Sequence, residues 1–180
     1  NLGVFCNINS GADVVPSKLT KNHISKFSVF NSKDEGKGIF VLSEEEYKKF
    51  KQNQIEKNII KKFIKSSDVE KFSVDFKNKY LIYTRYSDEI DKLPNIKKHL
   101  NKYKPILDDQ IRRYNEDMPW FALHRPGSHQ IFEAKEKIIA PYRAKSNFFG
   151  YTDKKLYSSR DNYLICLKNS FLKEIEIKYI

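Results

Sequence analysis

The stretch from residue 120 to residue 151 most constrains what this chain can fold into, because it alternates short apolar runs with turn residues and cations. Short apolar runs bounded by turn residues are typical of strands joined by loops. Its loops carry Arg, Lys, Ser, Asn and Tyr side chains, which suit contacts with phosphates and with base edges. The stretch therefore predicts a β-rich surface able to bind nucleic acid.

Helix signals lie before this stretch. Ser43 and Glu46 have the spacing of a capping box, which predicts a helix beginning there. Apolar residues recur every three or four positions over residues 96–114, which predicts an amphipathic helix. Pro94 fits the first turn of that helix, and Pro105 predicts a kink or two abutting helices.

The remaining apolar runs define the fold class. Ile59, Ile60, Phe63 and Ile64 suggest a helical turn that ends at Ser66–Asp68. Strands are predicted near the start of residues 4–13 and at 39–42, 80–84, 138–139, 148–149 and 163–167. Because strands and helices do not alternate regularly, we expect an α+β fold with a mixed β-sheet and peripheral helices. We expect one domain over residues 1–180.

Composition indicates the kind of binding partner and the cellular compartment. The net charge of +11 predicts a polyanionic partner, although lysine-rich chains also present solvated lysine faces without one. Cys6 and Cys166 lack companions at metal-site spacing, so we expect no disulfide framework and a reduced, cytoplasmic setting. No apolar run is long enough to span a bilayer, so we expect no membrane partner.

Motifs for catalysis are weak. The segment 36–38 lacks the third glycine of a dinucleotide-binding loop, and no P-loop is present. His124 and His129 have no Cys or acid nearby, so we expect no metal site. Asp68, Asp75 and Lys77 superficially resemble the acid, acid-x-Lys pattern of metal-dependent nucleases. A small nuclease therefore remains an alternative.

Seven segments occur in an order shared with a known family. They are Asn-Ser-Gly-Ala-Asp at 9–13, Gly-Ile-Phe-Val-Leu at 38–42, residues 60–69, Tyr-Leu-Ile-Tyr at 80–83, residues 93–100, Trp-Phe-Ala-Leu-His at 120–124 and residues 137–146. The ordered set resembles the TaqI-like C-terminal specificity domain. This is the target recognition domain of adenine-specific DNA methyltransferases and of fused type II restriction–modification enzymes. The resemblance covers nearly the whole chain.

The resemblance implies sequence-specific recognition of double-stranded DNA for an adenine-specific methyltransferase, fused in some members to an endonuclease. In the family a separate catalytic domain binds S-adenosylmethionine and carries an Asn-Pro-Pro-aromatic motif, which this sequence lacks. The chain begins with Asn rather than Met. We therefore expect a recognition domain from a longer polypeptide, with no catalysis or cofactor of its own. Its expected partners are duplex DNA and the parent's methyltransferase domain.

The resemblance and the residue types together give the candidate DNA-binding residues. Those that match family motif positions are Lys65, Ser66, Arg143, Lys145 and Ser146. Those chosen by residue type and predicted loop position are Arg85, Tyr86, Arg125, Ser128, His129 and Asn147. A third hypothesis, besides DNA recognition and nuclease activity, is a basic domain of a phage-defence system that binds protein or RNA.

Overall fold

The computed structural model describes residues 2–114, 117–144, 146, 148–171 and 177. Its α-helices are α1 (Leu2–Phe5), α2 (Lys21–Lys26), α3 (Glu44–Lys49), α4 (Gln54–Ile59), α5 (Pro94–Asn101), α6 (Lys104–Tyr114) and α7 (His129–Glu133). Its strands are β1 (Cys6–Ser10), β2 (Val41–Leu42), β3 (Ile60–Ile64), β4 (Val69–Glu70), β5 (Ser73–Val74), β6 (Lys79–Ile82), β7 (Lys137–Pro141), β8 (Gly150–Thr152), β9 (Tyr157–Ser158) and β10 (Asn162–Leu167). None of the described helices has the length and apolar character needed to cross a membrane.

The chain forms two compact units, each assembled from segments that are distant in sequence. Unit 1 comprises Asn1–Asp13, Lys62–Lys77 and Pro126–Ile180. Unit 2 comprises Val14–Lys61 and Asn78–Arg125. The expectation that residues 1–180 act as one domain stays a prediction.

Unit 1 is built on an antiparallel sheet with the strand order β1-β10-β7-β8. Leu164 lies opposite Ile139, and both side chains are fully buried. Ile139 belongs to a core cluster with Ile64, Val69 and Leu156. Neighbouring residues along a strand point to opposite faces, and Tyr163, next to Leu164, is 39% exposed. One face of the sheet is therefore core, while the other meets solvent in part.

Two smaller strand pairings complete unit 1. β4 and β5 form a two-stranded hairpin, with Val69 opposite Val74. The end of β3 pairs in parallel with β9, with Phe63 opposite Tyr157. The hairpin and β3 both contribute side chains to the core cluster of unit 1. Unit 1 thus combines antiparallel and parallel pairing.

Unit 2 contains the helices α2 to α6. Its antiparallel pair places Val41 of β2 opposite Leu81 of β6. Tyr47 of α3 stacks on Tyr80 of β6 with a ring-centroid distance of 3.7 Å. The apolar faces of α5 and α6 are buried, as the 3.6-residue period requires. These faces carry Ile96, Leu100, Ile106 and Leu107.

Several sequence-based predictions are confirmed. The fold is α+β, with both parallel and antiparallel strand pairs. α3 begins at the predicted capping box, in which the Glu46 N–H donates to Ser43 Oγ and the Ser43 N–H donates to Glu46 Oε2. The amphipathic stretch is two abutting helices, and Pro105 lies in the first turn of α6, where its missing N–H costs little.

Other predictions were wrong. Residues 60–64 form strand β3 rather than a helical turn, because their backbone pairs with a strand almost a hundred residues later. Phe148 and Phe149 precede β8 instead of forming a strand. The short helix α7 lies within the stretch that was expected to be β-rich. In β3 the tertiary pairing outweighs the local pattern.

Candidate nucleic-acid interface

Two loops of unit 1 lie side by side and bring together candidates from distant parts of the sequence. At one end, the carbonyl oxygen of Asp161 accepts the Tyr142 N–H at 2.7 Å and the Ser66 hydroxyl at 3.0 Å. This shared acceptor places Lys65 and Ser66 beside the start of the loop that carries Arg143. We call residues 65–72, 142–144, 146 and 148–149 the two-loop surface.

The other end of the two-loop surface is joined by backbone hydrogen bonds. The Phe72 N–H donates to the Phe149 carbonyl at 2.8 Å, and the Tyr151 N–H donates to the Phe72 carbonyl at 3.4 Å. Both loops are therefore fixed where they leave the sheet. Fixed backbone lets a loop present side chains to a ligand with little loss of conformational entropy on binding.

The first loop owes its shape to Asp68. This carboxylate is 3% exposed, and its Oδ2 accepts the Lys65 N–H at 2.8 Å. The Asp68 N–H in turn donates to the Lys65 carbonyl at 3.0 Å, and Ser67 Oγ lies 3.3 Å from Asp68 Oδ1. Asp68 thus supports a tight turn, and its acid-x-Lys companions, Asp75 and Lys77, form an ion pair with each other.

The second loop presents a cation beside exposed aromatic rings. The Arg143 guanidinium lies 5.9 Å from the Tyr142 ring, and Tyr142 meets Tyr163 edge to face at 5.5 Å. Tyr142 is 58% exposed, and Arg143 is also exposed. An exposed guanidinium can bind phosphate, and exposed rings can stack on bases. Sequence reasoning missed both tyrosines as candidates, although Tyr142 directly precedes Arg143.

The remaining candidates on this loop are only partly described. Ser146 is exposed. Lys145 and Asn147 lie outside the residues that the structure describes. Their predicted role in DNA contact stays a prediction.

A second group of candidates belongs to unit 2. The Arg85 N–H donates to Asp88 Oδ2 at 2.7 Å, and its guanidinium lies 3.4 Å from Asp88 Oδ1. The Tyr86 hydroxyl donates to the His124 carbonyl at 3.3 Å. His124 directly precedes Arg125, whose side chain is exposed. Arg85 is therefore engaged by an acid of its own turn, while Arg125 faces solvent.

Ser128 and His129 begin α7 in unit 1. The His129 Nδ1 lies 2.9 Å from the Tyr157 hydroxyl, which donates to Glu133 Oε1 at 2.7 Å. Lys155 pairs with the same carboxyl group at 3.0 Å. The imidazole thus belongs to a polar network at α7.

Two other cations of unit 1, Lys137 and Arg160, have different environments. Lys137 is fully buried, its Nζ donates to the carbonyls of Ala134 and Lys154 at 2.9 Å each, and burial lowers its pKa to about 8. Arg160 pairs with Asp13 at 2.7 Å. Within the described part of the chain, no group of three or more His, Cys, Asp or Glu side chains is placed to hold a metal ion.

Comparisons with known proteins give a structural likeness but no match to a family or to a curated protein. Among solved structures, the chain is similar to the type IIL restriction–modification enzyme MmeI in complex with DNA, with a TM-score of 0.49 and 14% identity. The match covers 88% of this chain and 19% of that chain, so this chain spans less than a fifth of that enzyme.

Proposed function

We propose that this chain binds double-stranded DNA through the two-loop surface of unit 1. The observation that supports the proposal most strongly is the carbonyl of Asp161, which holds the loops of Ser66 and Arg143 together. Arg143 and Ser146 of the second loop are exposed and Lys65 of the first loop is half-buried, so both loops can offer polar groups to a phosphate backbone. The net charge of +11 adds long-range attraction to a polyanion.

The finer proposal is that binding is sequence-specific and directs an adenine-specific DNA methyltransferase in a restriction–modification system. The ordered segments that resemble the target recognition domain support it. S-adenosylmethionine would bind to the methyltransferase domain, and this chain would contribute recognition without catalysis. In this scheme phosphate contacts supply affinity, and a few loop side chains choose the sequence.

The proposed surface is tested by fluorescence anisotropy with labelled duplex DNA over a salt series. Replacement of Arg143 by Ala should weaken binding and reduce the slope of log K against log salt by about 1, because one phosphate contact is lost. Arg112→Ala is the matched control, since Arg112 is a 76% exposed arginine of α6 in unit 2. Equal slopes for the two variants would contradict the proposed surface.

The finer proposal is tested by repeated selection of bound duplexes from a randomised pool, with duplex RNA as competitor. Sequence-specific DNA recognition predicts enrichment of a short shared sequence and preference for DNA over RNA. A pool that stays random would contradict sequence specificity while leaving DNA binding intact. Stronger competition by RNA than by DNA would instead favour an RNA-binding domain.

A further inference from the structure

Phe72 of unit 1 occupies an unfavourable backbone conformation. It lies with Lys71 at the tip of the β4–β5 hairpin, and its φ is +71°. Side chains with a Cβ disfavour this left-handed region, which Gly and Asn adopt more readily. Its ring is nevertheless 75% exposed. The hairpin thus holds a large apolar ring in water and strains its backbone to do so.

The tip is firmly supported. The Phe72 N–H is bonded to the Phe149 carbonyl at 2.8 Å. Beneath it the hairpin packs against Gly150, where an added Cβ would lie 2.4 Å from the Ser73 carbonyl oxygen. Val69, at the base of the hairpin, is buried in the core cluster of unit 1. The exposed ring is therefore presented by an anchored element.

The fold makes little use of the ring. The Lys71 ammonium lies 5.0 Å from the ring centroid. Phe149, joined to it through the backbone, is also 51% exposed. Strain at an exposed position that does not stabilise the core is often found at binding sites. Here it lies at one end of the two-loop surface, with a cation beside it.

We propose that Phe72 is a wedge that inserts between stacked base pairs of the DNA bound to the two-loop surface. The proposal rests on the proposed function. An apolar ring can enter a base step and partly unstack it, and the adjacent Lys71 can contact the flanking phosphate. Phe149 extends the same apolar tip. Phosphate contacts at Lys65 and Arg143 would hold the duplex in register with the wedge.

Phe72→Gly separates this role from any role in folding. Glycine adopts φ of +71° without strain, so the thermal midpoint should stay the same or rise. Loss of the ring should weaken duplex binding by roughly fivefold or more, as expected for one lost aromatic–base contact. The salt slope should stay unchanged because no charge is removed. Phe72→Trp should preserve binding, and Val29→Gly, at a 68% exposed apolar site of unit 2, is the control.

Unstacking is read directly from 2-aminopurine, which brightens when it loses its neighbours, placed at successive positions of a bound duplex. The wild type and Phe72→Trp should brighten the analogue at one step, and Phe72→Gly should not. Wild-type affinity and brightening in Phe72→Gly would overturn the wedge while the Arg143 salt effect could still stand. If the wild type bound no duplex at any salt concentration, the proposed function would fail along with the wedge. Should Phe72→Gly fail to fold, Phe72→Asn serves the same comparison.

Discussion

Lys137 and Arg143 are separated by six positions in sequence, yet burial gives them different roles. Lys137 is fully buried and donates to two carbonyls, whereas Arg143 is exposed beside Tyr142. Residue type and spacing predicted that residues 120–151 carry contacts with nucleic acid. They could not predict which cation enters the core, because burial depends on the packing of β7 against the rest of unit 1.

The buried lysine predicts a pH effect on stability. Burial lowers the pKa of Lys137 from near 10.5 to about 8, so the unfolded chain binds more protons between these values. The free energy of unfolding should therefore rise with pH across this window, by about 3 kcal/mol in total for this one group. Urea unfolding between pH 7 and 10.5, with Lys137→Met as the reference, isolates the effect. A difference curve that stays flat above pH 8 would contradict it.

At the scale of elements, one carboxylate joins two helices of unit 2. Glu56, in α4, is fully buried and accepts the Asn95 and Ile96 N–H groups at 2.7 and 2.9 Å, at the start of α5. It also accepts the Asn53 N–H at 2.9 Å. Burial raises the pKa of Glu56, but the hydrogen bonds outweigh burial, so its pKa lies below the ordinary value of 4.5.

Glu56→Gln should therefore destabilise the protein by about 2 kcal/mol at neutral pH, because an amide cannot accept all of these bonds. Since the folded-state pKa is the lower one, the contribution of Glu56 is present above pH 4.5 and is lost as pH falls through the folded value. Chemical denaturation from pH 7 to pH 3 checks both statements. Glu45→Gln, on the exposed side of α3, is the control and should change stability little.

The β4–β5 hairpin depends on close backbone approach at β8. A Cβ on Gly150 would lie 2.4 Å from the Ser73 carbonyl oxygen and 3.0 Å from Val69 Cγ1. Gly150→Ala should thus destabilise unit 1 by about 1–3 kcal/mol through overpacking. Thermal unfolding measures the loss, and Ser146→Ala on the preceding loop is the control. Equal thermal midpoints for the two variants would show that the hairpin does not pack tightly on β8.

Elements stabilised by contacts within a few residues were predictable from the sequence. Elements that depend on contacts with distant residues were not. The capping box of Ser43 and Glu46 and the amphipathic period of α5 and α6 act within a few residues. β3 depends on its pairing with Tyr157–Ser158, and the hairpin tip depends on Phe149. Phe72 carries no turn signal, because a large aromatic residue is not expected at a positive φ.

At the scale of the whole molecule, the sequence predicted which kinds of residue could bind DNA. It did not predict which of the candidate residues lie together in the fold. Lys65, Ser66 and Arg143 come from segments about eighty residues apart. The Asp161 carbonyl joins these segments at one end, and the backbone hydrogen bonds of Phe72 join them at the other. Arg85, Tyr86 and Arg125 instead belong to unit 2. The charge of +11 predicts an anionic partner but does not identify the surface that binds it.

Site-directed cross-linking tests the central claim most directly, because both native cysteines are free and buried, with Cys6 3% and Cys166 7% exposed. A photo-reactive label on Ser146→Cys would report DNA at the two-loop surface, and the same label on Ser32→Cys, at an exposed site of unit 2, is the control. We predict salt-sensitive cross-links to duplex DNA from position 146 and few from position 32. Cross-links of equal yield from both positions, or from position 32 alone, would contradict DNA binding by the two-loop surface.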